Sequence, residues 1–135
     1  MGDRSRVVIA QDGKLALIKR IRNGTTYYVF PGGGIEPGET AEVAAMREAH
    51  EELGVNVRLG RLVATDRFND VTVYFYTAQI TGGKFGTGCG PEFQPGRGRG
   101  IYEPVWIELE ALAGVDLRPR QVSKAILAAL TAGEI

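Results

Sequence analysis

Pro31 to Gly34 form a turn-prone glycine run, and the segment from Thr40 to Gly54 that soon follows has the pattern of a capped amphipathic helix. This joining of a flexible loop to a rigid helix constrains the chain more than any other feature. Thr40 can cap the helix start, Glu42 suits the positive end of the helix dipole, and Gly54 stands where helices commonly end in the left-handed conformation. The spacing predicts a helix over residues 41–53. At ~100° per residue, Glu48, Glu51 and Glu52 fall on one arc, while Val43, Met46 and Leu53 cluster on the opposite side. The expectation is a helix anchored in the core by its apolar side, with three carboxylates converging in front.

Three like charges on one arc repel one another unless something neutralises them. Arg47 can pair with only part of that charge. A divalent cation accounts for the remainder, because Mg²⁺ prefers oxygen ligands and is usually held by one or two protein carboxylates together with substrate phosphates.

Gly33, Glu39, Arg47, Glu48, Glu51, Glu52 and Gly54, followed by the aliphatic Val55, stand at the spacing G-x5-E-x7-R-E-U-x-E-E-x-G-U, where U is a bulky aliphatic residue. In this the sequence resembles the Nudix hydrolases, MutT-like nucleotide diphosphohydrolases. The one departure is Ala49, which is smaller than the usual residue at the first U position and puts local packing in question. The resemblance implies an α/β/α sandwich and Mg²⁺-dependent cleavage of a diphosphate in a nucleoside diphosphate linked to another moiety, with Mn²⁺ able to substitute. It also implies that Glu48, Glu51 and Glu52 ligate the metal, one of them being a candidate base, and that the Gly32 carbonyl is a further ligand. Glu39 and Arg47 would pair and hold the glycine loop against the helix.

Composition fits a single domain over residues 1–135: the chain is 44% hydrophobic and 24% charged, ordinary for a globular protein. Sixteen basic and sixteen acidic residues cancel, so no broad attraction to nucleic acid or membrane is expected. A small-molecule nucleotide is the expected partner, and a homodimer stays open. Cys89 is the sole cysteine, which rules out an internal disulfide and suggests a reducing, cytoplasmic setting. It has no histidine nearby in sequence, so no catalytic role is expected of it. The chain has no long apolar run and no apolar N-terminal segment.

Apolar runs Val7–Ala10 and Leu15–Ile18 flank Asp12-Gly13, a hairpin signal. Short strands are predicted over 27–30, 57–65 and 102–107. Residues 71–80 carry large apolar groups on both faces, as in a central strand covered on both sides. Gly82 to Gly100 holds eight glycines and two prolines and reads as a loop, long enough to act as a lid over a bound nucleotide or as a passive linker. A helical turn over 108–113 and a closing helix over 120–130, with Val122, Ile126 and Leu130 in phase, complete an α/β pattern of a mixed sheet with helices on both sides.

Further candidates are Arg20, Arg22, Tyr28 and Phe68 for phosphate or base binding, and Glu103 as an additional acid near the metals. His50, about 150° from the carboxylate arc, is expected to be structural or solvent-facing rather than a metal ligand. The proline that marks the ADP-ribose type is missing at Asp70 and Val71, and where the dinucleoside polyphosphate type has a tyrosine this chain has Thr72, with Tyr74 two residues further on. Phe30-Pro31-Gly32-Gly33 looks more like members acting on nucleoside triphosphates, including oxidised ones, with a nucleoside monophosphate and pyrophosphate as products. The competing reading, a nucleotide-binding sensor module with little turnover, would be expected to lack a motif glutamate, and none is lacking. Gly96 to Gly100 alternates glycine and arginine as flexible RNA-contacting segments do, but two arginines in a neutral chain are thin support.

Overall fold

The computed structural model describes residues 2–88 and 100–135. Among the described residues, nine strands and two helices run in the order β1 (Arg4–Val8), β2 (Ala10–Gln11), β3 (Lys14–Arg22), β4 (Thr25–Val29), β5 (Gly32–Gly34), α1 (Ala41–Leu53), β6 (Val55–Phe68), β7 (Val71–Gly83), β8 (Ile101–Glu108), β9 (Leu117–Arg118) and α2 (Arg120–Thr131). A short 3₁₀ turn, Leu109–Gly114, occupies the place of the predicted helical turn.

The strands form two mixed sheets. One has the order β5-β1-β7-β6, with β1 parallel to β7; the other has β2-β3-β4-β9, with β8 on the far side of β3 and β9 parallel to β4. Period-two alternation along the strands divides the core. Val7, Ile9, Ala16, Ile18, Tyr76 and Ala78 pack with Ala45, Ala49 and Leu53 of α1. Their neighbours Val8, Leu15, Leu17 and Phe75 pack instead with Val122 and Ile126 of α2. The result is an α/β/α sandwich. β7 lies between β1 and β6 with apolar groups on both faces, as residues 71–80 predicted.

Several boundaries differ from the sequence expectation. In the first hairpin only Ala10 and Gln11 pair with β3, closed by Asp12 and Gly13 at φ 54° and 74°; Val7 and Val8 belong to β1 in the other sheet. The apolar run is thus shared between two sheets. β6 extends to Phe68 and β7 runs on to Gly83, joined by Asn69 and Asp70 at φ 49° and 65°, so the glycine-rich loop begins later than Gly82. Cys89 and Gly96 to Arg99 lie outside the described residues, as does most of that loop.

Helix α1 spans the predicted residues. Thr40 accepts from the Val43 amide at 3.1 Å, and Gly54 closes the helix at φ 79°. Its inward face is the main correction. Val43 and Met46 are 47% and 38% exposed, whereas Ala44, Ala45, Ala49 and Leu53 are fully buried. Three small side chains let the helix lie close on the sheet, so Ala49 is accommodated at its signature position. Glu48 and Glu52 lie on the inward side with those alanines, and His50 faces solvent.

Phe75 is 1% exposed and meets Phe30 edge-on, with ring centroids 5.6 Å apart at 82°. Phe75→Ala should therefore lower stability by about 3–5 kcal/mol, the usual range for emptying such a position, as read from the midpoint of urea denaturation.

Candidate active site

The site forms where β5 meets α1. Backbone pairing sets Gly32 opposite Arg6 and Gly33 opposite Ser5, and the Ser5 hydroxyl donates to the Ala41 carbonyl at 2.7 Å, tying β1 to the start of the helix. Gly32 has no room for a side chain, since a Cβ there would overlap the Ser5 carbonyl and come within 2.8 Å of the Arg6 Cα. A Cβ on Gly33 would overlap the Glu48 carboxylate. Glycines at these two places bring the strand backbone against the acidic face of the helix.

Arg47 organises that contact. Its Nε and Nη2 donate to the two oxygens of Glu39 at 2.7 and 2.9 Å, Nη2 donates also to the Gly34 carbonyl at 2.9 Å, and Nη1 reaches Glu48 and Glu51 at 3.2 and 3.1 Å. Glu39 in turn accepts from the Glu36 amide at 2.9 Å. The loop and the helix are thereby clamped, in the arrangement that the signature implied for Glu39 and Arg47. Hydrogen bonding to Arg47, aided by the Glu36 amide, holds the Glu39 carboxyl down at about 2. The same bond raises the Arg47 guanidinium further above its ordinary value.

Glu48 and Glu52 are 8% and 6% exposed and line a cavity of about 240 Å³ with Gly32, Gly33 and Gly34. Glu51 is drawn toward Arg47 and does not line it. Three converging carboxylates were expected; two face the cavity, and among the described residues no group of three or more acidic, histidine or cysteine side chains is gathered around a metal position. A magnesium ion needs only one or two protein carboxylates when phosphates supply the rest. Two buried carboxylates, one helical turn apart beside a glycine backbone, are hard oxygen donors that fit this requirement.

The lining is also basic. Arg4, Arg6 and Arg20 line the same cavity, together with Val29 and Tyr102. The Arg20 guanidinium lies 3.9 Å from the centre of the Tyr102 ring, its partner across the β3–β8 ladder. Arg6 Nη1 donates to the Phe30 carbonyl at 2.9 Å and to that of Gly32 at 3.4 Å. Arg4, Arg6 and Tyr102 were not among the sequence candidates. The alternating Arg4-Ser5-Arg6 entering an apolar strand was a signal, but only the pairing of β1 with β5 places it at the site.

An apolar cavity of about 360 Å³ adjoins this one and shares Arg6 and Val29 with it. Phe68, 70% exposed at the end of β6, lines it with Phe30, Phe75, Asp66, Arg118 and Pro119. Arg20 and Phe68 thus stand at neighbouring cavities, whereas three other candidates lie elsewhere. Tyr28 packs into the α2-side core because strand alternation turns it there. Arg22 is exposed at the end of β3, beside the turn to β4. Glu103 is exposed and follows Tyr102 on β8, so the pleat turns it away from the carboxylates.

Fold and site together define an α/β protein with a cavity lined by both acidic and basic side chains. A family model described as the NUDIX domain matches residues 3–129, and the chain belongs to that family. Among curated proteins it is 35% identical over 81 residues to a putative 8-oxo-dGTP diphosphatase of Bacillus subtilis, covering 58% of this chain and 52% of that one. It is 41% identical over 61 residues to an RNA pyrophosphohydrolase of Erwinia tasmaniensis, covering 45% and 34%. The matches therefore span about a third to a half of those relatives. Among solved structures, a NUDIX hydrolase from Nitrosomonas europaea superposes with a TM-score of 0.71 at 25% identity, over 96% of this chain and 88% of that one. MutT from Aliivibrio salmonicida and Vibrio cholerae shares the fold, with a TM-score of 0.69 at 21% identity over 93% and 95%.

The depressed Glu39 carboxyl has a consequence for acid stability. Its folded value of about 2 lies below the ordinary 4.5, so its contribution is present above the ordinary value and is lost as pH falls from there toward 2. Glu39→Gln should flatten the decline in melting temperature between those two pH values and lower the plateau above them, as followed by circular dichroism.

Proposed function

We propose that the protein hydrolyses the diphosphate linkage of a nucleoside diphosphate linked to another group. A nucleoside triphosphate, oxidised or not, is the favoured substrate, yielding a nucleoside monophosphate and pyrophosphate. The observation that carries this reading is the mixed lining of the cavity, where the buried Glu48 and Glu52 share one space with Arg4, Arg6 and Arg20. Carboxylates suit a hard cation and guanidinium forks suit phosphate oxygens. A site built for only one of those ligands would not need both kinds of group.

Glu48 and Glu52, with the Gly32 carbonyl, would hold Mg²⁺ or Mn²⁺, with Glu51 at the edge of the set beside Arg47. A divalent cation bound there supplies charge neutralisation at the phosphoryl oxygens and an acidified water. Arg20, stacked on Tyr102 and so restricted in orientation, would grip a terminal phosphate. Arg47 would keep Glu48 and the glycine backbone in register before substrate arrives. The adjoining apolar cavity, with Phe68 at its rim and Asp66 and Arg118 as polar groups, would take the base. The named relatives act, by their descriptions, on an oxidised nucleotide and on RNA, and both are diphosphate chemistry.

The test is a hydrolysis screen with Mg²⁺ over nucleoside triphosphates, 8-oxo-dGTP, ADP-ribose, dinucleoside polyphosphates and RNA, with products separated by ion exchange. A nucleoside monophosphate and pyrophosphate from a triphosphate are expected. Binding of these compounds without any turnover would overturn the hydrolase reading in favour of a sensor module.

Glu52→Gln should keep the fold and lower turnover by about a hundredfold or more, the scale of losing one preorganised charge contact in a transition state. Excess EDTA should abolish turnover of the unmodified protein, and a near-normal rate in either experiment would refute the assignment.

A further inference from the structure

Arg6 occupies an unusual position. Strand β1 sets it directly across from Gly32, its guanidinium bonds to two carbonyls of the glycine turn, and it lines both the acidic cavity and the apolar one. The contact to Phe30, at 2.9 Å, has ordinary length, while that to Gly32, at 3.4 Å, is at the weak limit. The second is the easier to surrender, and it engages the carbonyl that would otherwise be offered to a cation.

Charge points the same way. Burial works against the Arg6 cation and so does neighbouring Arg4, while Glu52 and Glu48 support it. An arginine does not respond to such strain by losing its proton. Its charge must instead be met by carboxylates, and these are the same two that face the cavity.

We propose that Arg6 is a built-in stand-in for the metal: it neutralises Glu48 and Glu52 in the metal-free protein, releases the Gly32 carbonyl when a divalent cation enters, and then turns its fork to the substrate phosphate nearest the base. This rests on the hydrolase reading. The place of Arg6 at the wall shared by the two cavities is where a nucleotide would pass from base to phosphates. Two cations beside one carboxylate pair repel, so metal and Arg6 compete until phosphate supplies new negative charge. Arg6 therefore acts against the cation alone and in favour of the substrate.

Opposed signs make this testable, because a merely structural arginine would weaken both ligands when lost. In Arg6→Gln, Mn²⁺ binding without nucleotide, measured by electron paramagnetic resonance, should tighten by about three- to tenfold, as expected for removing a like charge several ångströms away. KM for the hydrolysed nucleotide should rise by about ten- to a hundredfold, the value of a hydrogen bond to a charged group. Arg6→Lys keeps the charge without the fork, so its Mn²⁺ affinity should stay near that of the unmodified protein while KM rises. Should Arg6→Gln not fold, the Arg6 side-chain ¹⁵N resonance of the unmodified protein serves instead, and it should shift on addition of Mg²⁺ alone. Unchanged or weaker Mn²⁺ binding in Arg6→Gln, an unaltered KM, or a resonance indifferent to Mg²⁺ would overturn the inference while leaving the hydrolase reading intact. An unmodified protein that binds no Mn²⁺ and cleaves no nucleotide would overturn both.

Discussion

The fork of Arg47 is the interaction on which the rest of the site depends. A guanidinium has five N–H donors in a fixed plane, and here they reach the Glu39 carboxylate twice, the Gly34 carbonyl, and the carboxylates of Glu48 and Glu51. One side chain thus ties the loop after β5 to α1 and offsets part of the repulsion among the glutamates it touches. Exposed ion pairs are usually weak, but this one has a bidentate geometry and a side chain only 23% exposed, with Glu39 at 14%. Its effect is positional: it joins the Gly34 carbonyl and Glu39 to the middle of the helix.

The packing of α1 serves the same end. A helix with bulky residues on its inward face would stand away from the sheet, and the carboxylates of Glu48 and Glu52 would be farther from the glycine strand. Ala44, Ala45 and Ala49 remove that separation. Both carboxylates are consequently buried at the cavity wall rather than projecting into solvent, and burial of charge has to be compensated by partners. Arg47, on the same helix, compensates Glu48, and Arg6 on β1 faces both.

Much of this was legible in the sequence, because the relevant physics is local. Capping by Thr40, termination at Gly54 and the tight turn at Asp12-Gly13 depend on dihedral preferences and on hydrogen bonds a few residues long. Alternation along residues 71–80 reports burial on both faces of a strand whatever its neighbours are. Spacing within one helix likewise set Glu48 and Glu52 a turn apart. Residue size misleads where the environment is not known: Val43 and Met46 look like the anchoring side of the helix, yet the sheet receives alanines. Tyr28 and Glu103 are site candidates by residue type, yet the pleat directs them elsewhere.

By itself, then, the sequence determined the acidic helix, its caps, the glycine turn and the family to which their spacing belongs, since each is written in residues close together along the chain. Tertiary structure alone decided which carboxylates face the cavity and which one turns to Arg47. It alone brought Arg4 and Arg6 from the first strand, and Arg20 and Tyr102 from two paired strands, to the same cavity. The physical reason is register. Strands far apart in sequence exchange hydrogen bonds in one alignment, and a slip of a single residue would send every one of those side chains to the other face.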